Sequence, residues 1–295
     1  MISGCISALV TPMKHDGQVD LVSLDRVVDY HLAEESDGLL LMGSTGEPAL
    51  LTEEERREIV TRVLKRVDGK IPVWVGVGSN STRDSIVKIK EMEEIGVDVC
   101  LCVVPYYLKP TQKGIYEHFA SLSSEVSCPI VIYNIPGRVG VDISLQTLLD
   151  LSEIPNIVGM KEGTNNVERA IHWMHNFPKN FMFYAGDDSV SLPSILMGAK
   201  GCVSVTGNVV PRLMHDMCDC AFSGQISRAR EINSSIWWFH RFLFIESNPI
   251  PVKWVLSEMG LIEPGIRLPL TWLSAEHHDN LRLAMKQAGI KKVCL

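Results

Sequence analysis

Along the chain, short β-branched apolar runs alternate with longer stretches whose apolar residues recur at helical spacing, and the alternation continues to about Ser223. The runs predict eight strands: Gly4 to Val10, Gly38 to Met42, Pro72 to Val77, Val99 to Val103, Pro129 to Tyr133, Ile157 to Lys161, Met182 to Ala185 and Gly201 to Val205. Between them, helices are expected at Leu21 to Glu35, Thr52 to Val67, Thr82 to Ile95 and Thr111 to Ser124. Several open on a Ser or Thr suited to an N-cap, and Thr52-Glu53-Glu54-Glu55 has the form of a capping box. Eight βα units joined by right-handed crossovers fit an open doubly wound sheet, but at this length they close more economically into a barrel. The expected class is therefore α/β, a (β/α)8 TIM barrel over residues 1–224, with a helical extension at 225–295. That extension carries Trp237-Trp238-Phe239 with Phe242 and Phe244, a stripe that reads as packing on the barrel or against another subunit.

Composition narrows the partners. A formal charge of −7 with no block of Lys or Arg argues against nucleic acid or an anionic membrane, leaving small molecules. Met1 to Pro12 is apolar but lacks a basic leader, so it reads as a first strand and not as a signal peptide. Cys5, Cys100, Cys102, Cys128, Cys202, Cys218, Cys220 and Cys294 are scattered, mostly inside apolar runs, which suits reduced thiols in the cytoplasm.

The candidate chemistry sits just after the strands, the end at which barrels of this kind do their work. Lys161 closes the apolar run Ile157-Val158-Gly159-Met160. A lysine there loses water, its pKa falls from the usual ~10.4, and the neutral amine becomes a nucleophile fit for imine chemistry on a carbonyl. The plain alternative is a strand-end lysine reaching out to solvent. Tyr133 ends the neighbouring strand at the same height and could relay protons. Gly43-Ser44-Thr45-Gly46-Glu47 offers backbone N–H groups and two hydroxyls for a carboxylate, or is a simple strand-to-helix turn. Arg138, in a Pro-Gly-Arg loop, suits a second carboxylate, although a surface arginine would look the same.

Taken together, GSTGEP at Gly43, PYY at Pro105, YNIPGRVG at Tyr133, GMKEGT at Gly159, GDD at Gly186 and SVTGN at Ser204 make the chain resemble the dihydrodipicolinate synthases. These belong to the pyruvate-dependent aldolase superfamily that includes N-acetylneuraminate lyase. NPIPVKW at Asn248 and RLPLT at Arg267 extend the likeness into the C-terminal helices. The resemblance implies that Lys161 forms the Schiff base with pyruvate and that Tyr133 relays the proton, linked to Thr45 and to Tyr107 from a neighbouring subunit of a tight dimer. It also implies that Ser44 and Thr45, with backbone near Val203, hold the pyruvate carboxylate, that Gly186 lies close to the lysine, and that Arg138 binds aspartate semialdehyde. No metal or organic cofactor is implied, since the lysine is itself the electron sink, and the assembly implied is a homotetramer built from tight dimers.

Three departures stand out. Ser44 replaces the usual second threonine and keeps the hydroxyl, while Gly163-Thr164-Asn165-Asn166 replaces the usual pattern after the lysine. Feedback-inhibited bacterial members share Asn80 and Tyr106 but have histidines where Glu53 and Arg56 stand, so weak or absent lysine inhibition is expected. The runner-up activities are a sister aldolase cleaving N-acetylneuraminate or a keto-deoxy sugar acid, and a catalytically silent keto-acid-binding barrel. His215 with Cys218 and Cys220 is a weak metal candidate, because residues 218 and 220 face apart on a helix. Asp187 and Asp188, without a third ligand, read as loop caps.

Overall fold

The computed structural model describes residues 2–290; Cys294 lies outside the described residues. Eight parallel strands close into a barrel in chain order: β1 (Gly4–Ala8), β2 (Gly38–Leu41), β3 (Val73–Gly76), β4 (Val99–Val103), β5 (Ile130–Asn134), β6 (Ile157–Glu162), β7 (Met182–Ala185) and β8 (Gly201–Ser204). Closure excludes the open doubly wound sheet. The helices are α1 (Leu21–Ala33), α2 (Glu53–Val67), α3 (Thr82–Ile95), α4 (Gln112–Glu125), the short α5 (Pro136–Val139), α6 (Leu145–Ser152), α7 (Val167–Asn176), α8 (Ser191–Leu196), α9 (Pro211–Phe222), α10 (Ile226–Phe242), α11 (Ile250–Glu258) and α12 (His278–Gln287).

Local chemistry explains most of the element ends. Thr52 makes the capping box with Glu55, and Ser81 and Thr111 accept from N3 amides to start α3 and α4. α1 stops two residues before the expected Glu35, which adopts a left-handed φ of 54°. β1 ends at Ala8 and not at Val10, because the Val10 N–H turns from the ladder to the side-chain oxygen of Asn208, at 3.1 Å. β5 and β6 each run one residue further than expected, to Asn134 and Glu162, which are themselves register partners.

The chain forms two compact units. In the first, Val73–Val203, the strands from β3 onward bury Trp74, Ile132, Met160 and Tyr184, with Trp74 and Tyr184 edge to face at 5.1 Å. The second combines Gly4–Pro72 with Ser204 onward, and so joins β1 and β2 to the C-terminal helices. Its aromatic stretch on α10 divides by face: Phe239 is fully buried, whereas Trp237 and Trp238 remain partly exposed and Trp238 stacks on Phe242. No helix among the described residues is long and apolar enough to cross a membrane.

Candidate active site

In the first unit, Tyr133 and Lys161 are opposite one another on β5 and β6. The Lys161 Nζ lies 4.1 Å from the centre of the Tyr133 ring, and both side chains are buried. The lysine does not reach out to solvent. Burial is the largest influence on its amine and brings the pKa down to about 8; the positive charge of Arg138 pushes the same way, while Asp188 and Cys202 oppose it. At neutral pH roughly a tenth of such amines are uncharged, against less than a thousandth for an ordinary lysine.

The strand ends that carry this pair are held by a polar network. The Asn134 side-chain amide donates to Asp142 at 2.9 Å and to Glu162 at 3.1 Å, and the Arg169 guanidinium grips Asp142 through both terminal nitrogens at 2.6 and 2.7 Å. Glu162 also accepts from the Thr164 N–H at 2.9 Å. Because Asn134 and Glu162 directly follow Tyr133 and Lys161, slippage of either strand end would break several charge-assisted bonds.

Gly186 follows β7, and a Cβ built there would lie 2.9 Å from the Lys161 Cε and 2.8 Å from the Glu162 carbonyl oxygen. The glycine leaves room for the lysine stem, a packing reason for its place in the GDD string. Asp187 caps the turn, accepting from the N–H and the hydroxyl of Ser189 at 2.9 and 2.6 Å. Asp188 is different: it is buried, and its charge acts on the Lys161 amine. The loop-capping expectation is therefore right for one aspartate and misses the role of the other. Arg138 is exposed on α5, and Val203 is buried within β8. Tyr107 is 84% exposed and holds a left-handed φ of 71°, its N–H donating to the Val139 carbonyl at 3.3 Å. A bulky residue in that conformation is strained.

The second unit holds Ser44 and Thr45 in a single 3-10 turn after β2. Met42 and Glu47, on either side, both have a φ of 55° in the left-handed region, so the turn is sharply folded back. Two contacts secure it, one from the chain just ahead of α11 and one from the helix itself. Asn248 donates its side-chain amide to the Thr45 hydroxyl at 2.9 Å, and the Lys253 ammonium meets Glu47 at 2.7 Å with neither side chain exposed. In the sequence Asn248 and Lys253 stand only in the NPIPVKW string; an amide just ahead of an apolar helix and a lysine inside it are the available signal.

The metal candidate does not assemble. His215 instead bonds Asp37 at 2.7 Å, Asp37 also accepts from the Cys5 N–H, and no cluster of three or more potential metal ligands occurs among the described residues.

With the buried lysine, its tyrosine and the hydroxyl turn in place, comparison with known proteins adds the lineage. The model of the dihydrodipicolinate synthetase family matches residues 1–288. The chain belongs to that family. It is 46% identical over 290 residues to the 4-hydroxy-tetrahydrodipicolinate synthase of Nitrosomonas europaea, covering 98% of this chain and 99% of the relative. Within the dihydrodipicolinate synthetase family, a crystal structure of the chloride-inhibited dihydrodipicolinate synthase of Acinetobacter baumannii, complexed with pyruvate, superposes with a TM-score of 0.97 at 42% identity, covering 99% of this chain and all of that one. A monomeric dihydrodipicolinate synthase variant superposes at 0.96 with 37% identity, covering 98% of each.

Proposed function

We propose that this chain is a Schiff-base-forming lyase, a 4-hydroxy-tetrahydrodipicolinate synthase, condensing pyruvate with aspartate semialdehyde in lysine and diaminopimelate biosynthesis. The observation that carries the reading is the buried Lys161 amine, brought to about pH 8 and set against the Tyr133 ring. The neutral amine adds to the pyruvate carbonyl, and loss of water leaves an iminium. Removal of a C3 proton gives the enamine, whose carbon attacks the aldehyde. The amine of the adduct then displaces Lys161 from the imine carbon, closing the ring and freeing the enzyme.

In this scheme Tyr133 moves protons in concert with Thr45 and with Tyr107 of a neighbouring subunit, and the strained, exposed backbone of Tyr107 is consistent with a residue presented outward. Ser44 and Thr45, with backbone near Val203, bind the pyruvate carboxylate; Gly186 gives the lysine space; Arg138 receives the semialdehyde carboxylate. No metal or organic cofactor takes part. A homotetramer of tight dimers in the cytoplasm, with the barrel at 1–224 and the extension from 225, completes the proposal.

Borohydride quenching in the presence of pyruvate tests the central step. The expected result is a reduced three-carbon adduct on Lys161 by peptide mass spectrometry; an unmodified lysine in folded protein overturns the reading. Condensation with aspartate semialdehyde is expected to outrun cleavage of N-acetylneuraminate, and replacing Arg138 by leucine to damage the semialdehyde step far more than pyruvate capture.

A further inference from the structure

A threonine hydroxyl has one proton to give and lone pairs to receive. At Thr45, one lone pair is already taken by the Asn248 amide, 2.9 Å away, in surroundings where both residues are buried. The single Thr45 proton is thereby left to point elsewhere. The other end of the Asn248 amide has a second property: its Oδ1 is buried without a hydrogen-bond donor, although the residue is only 7% exposed. Buried amide oxygens are nearly always satisfied, so an orphan beside a candidate substrate-binding hydroxyl marks a group facing a ligand or its water more than one serving packing alone.

We infer that Asn248 is a positioning residue that sets the polarity of the Thr45 hydroxyl, making it a donor on its substrate side. The inference rests on the role proposed for Thr45. The platform for it is rigid: five residues further on, Lys253 pairs with Glu47, so one segment holds both the hydroxyl and the left-handed corner behind it. Without the amide, Thr45 can spend its proton on any nearby acceptor, and the fraction of enzyme with the productive orientation falls. With an aspartate in place of the asparagine, the side chain becomes an acceptor and draws the Thr45 proton toward itself, the opposite polarity.

The test is a double-mutant cycle over Asn248→Ala and Thr45→Val, with Asn248→Asp as a near-isosteric companion. Asn248→Ala is expected to lower kcat by about ten- to a hundredfold, the scale of a lost orienting hydrogen bond in proton transfer, and to raise the KM for pyruvate, whose carboxylate the same hydroxyl is proposed to hold. Asn248→Asp should lose at least as much, while thermal unfolding shows it folded. In the Thr45→Val background, Asn248→Ala should cost no further kcat, because nothing is left to orient. An unchanged kcat in the Asn248 variants, or the same fold-loss with and without the Thr45 hydroxyl, overturns the inference. Should Asn248→Ala fail to fold, the Asn248→Asp arm of the cycle decides it by the same criterion. Borohydride trapping of pyruvate by the wild-type enzyme separates the two levels: capture with an additive cycle sinks only the role of Asn248, whereas no capture sinks the catalytic reading and this inference with it.

Discussion

The Lys161 amine sits over the face of the Tyr133 ring, not beside its edge, at 4.1 Å from the centroid. A ring face attracts positive charge, which an iminium keeps at any pH while the free amine loses it above about pH 8. On the proposed mechanism Tyr133 offers two separable things, a π surface for the iminium and a phenol for proton transfer. Replacing it by phenylalanine keeps the first and removes the second. Tyr133→Phe is expected to retain pyruvate capture at Lys161 while kcat for condensation falls by about a hundredfold or more. Tyr133→Leu should weaken capture as well. Trapping yields and steady-state rates on the two variants check this, and equal trapping in both would remove the ring face from the account.

Two charges act in opposite senses on the same amine. Asp188 raises the pKa of Lys161 and Arg138 lowers it, around a value of about 8 set mainly by burial. Imine formation needs the neutral amine, so its rate should climb with pH and level off above about 8. Asp188→Asn removes a supporting anion and should move the inflection to lower pH; Arg138→Leu removes a cation and should move it up. Pyruvate capture rates followed by borohydride quench across pH 6 to 10 measure both shifts, and movement in the same direction would contradict the assignment.

The lowered amine pKa also costs stability, and the sign can be worked out. Folded Lys161 titrates near 8 and unfolded lysine near ~10.4, so between those values the unfolded chain holds more protons and stability rises with pH. Below about pH 8 the full cost of the buried ammonium is present, on the order of 3 kcal/mol at 1.36 kcal/mol per pH unit. Lys161→Met removes that cost. It should unfold at higher denaturant at pH 7 by about 1–3 kcal/mol, with the gain shrinking through pH 8 to 10 and all trapping abolished. A variant less stable than wild type at pH 7 would mean that the amine is held by compensating bonds.

Free lysine is expected to leave this enzyme active. Arg56 donates to the Pro48 carbonyl through two nitrogens, at 3.1 and 2.6 Å, and Glu53 is exposed at the start of α2. Were lysine to bind beside Arg56, as the resemblance to feedback-inhibited members implies, this guanidinium would repel its ammonium. Titration with millimolar lysine at subsaturating substrate checks the point; a clear fall in rate would show that histidines at these positions are dispensable.

Much of this arrangement was legible from periodicity alone. Alternating strands and helices gave the barrel, and because Tyr133 and Lys161 each closed a predicted strand their adjacency followed from chain order. What was hidden was long-range or conformational. Asn248 and Thr45 are 203 positions apart, and no local pattern reports such a bond. Asp188 was lost because a Gly-Asp-Asp-Ser string has turn chemistry of its own, which Asp187 uses, and propensity does not say which carboxylate faces inward. The left-handed backbone of Met42, Glu47 and Tyr107 leaves no trace in sequence either, since none of these residues favours it.

The Lys253–Glu47 pair makes the last prediction, because its two partners do not contribute alike. Burial pushes the Glu47 carboxyl pKa up and the Lys253 amine down, each toward its neutral form, and their mutual attraction opposes both shifts. Such a pair is weak evidence of net stability, but removing one member strands the other charge in the core, typically at about 3–5 kcal/mol. Lys253→Met should therefore destabilise strongly. The double change Lys253→Met with Glu47→Leu should recover most of that loss, as apolar replacements of buried pairs commonly do. Activity should not follow stability back. Glu47 holds a left-handed φ of 55° at the corner of the turn carrying Thr45, and leucine has no bond to offset the strain of that backbone. Denaturant unfolding and kcat on the single and double variants separate the two. A double variant restored in both would make the ion pair a packing feature of α11, without influence on the hydroxyl turn.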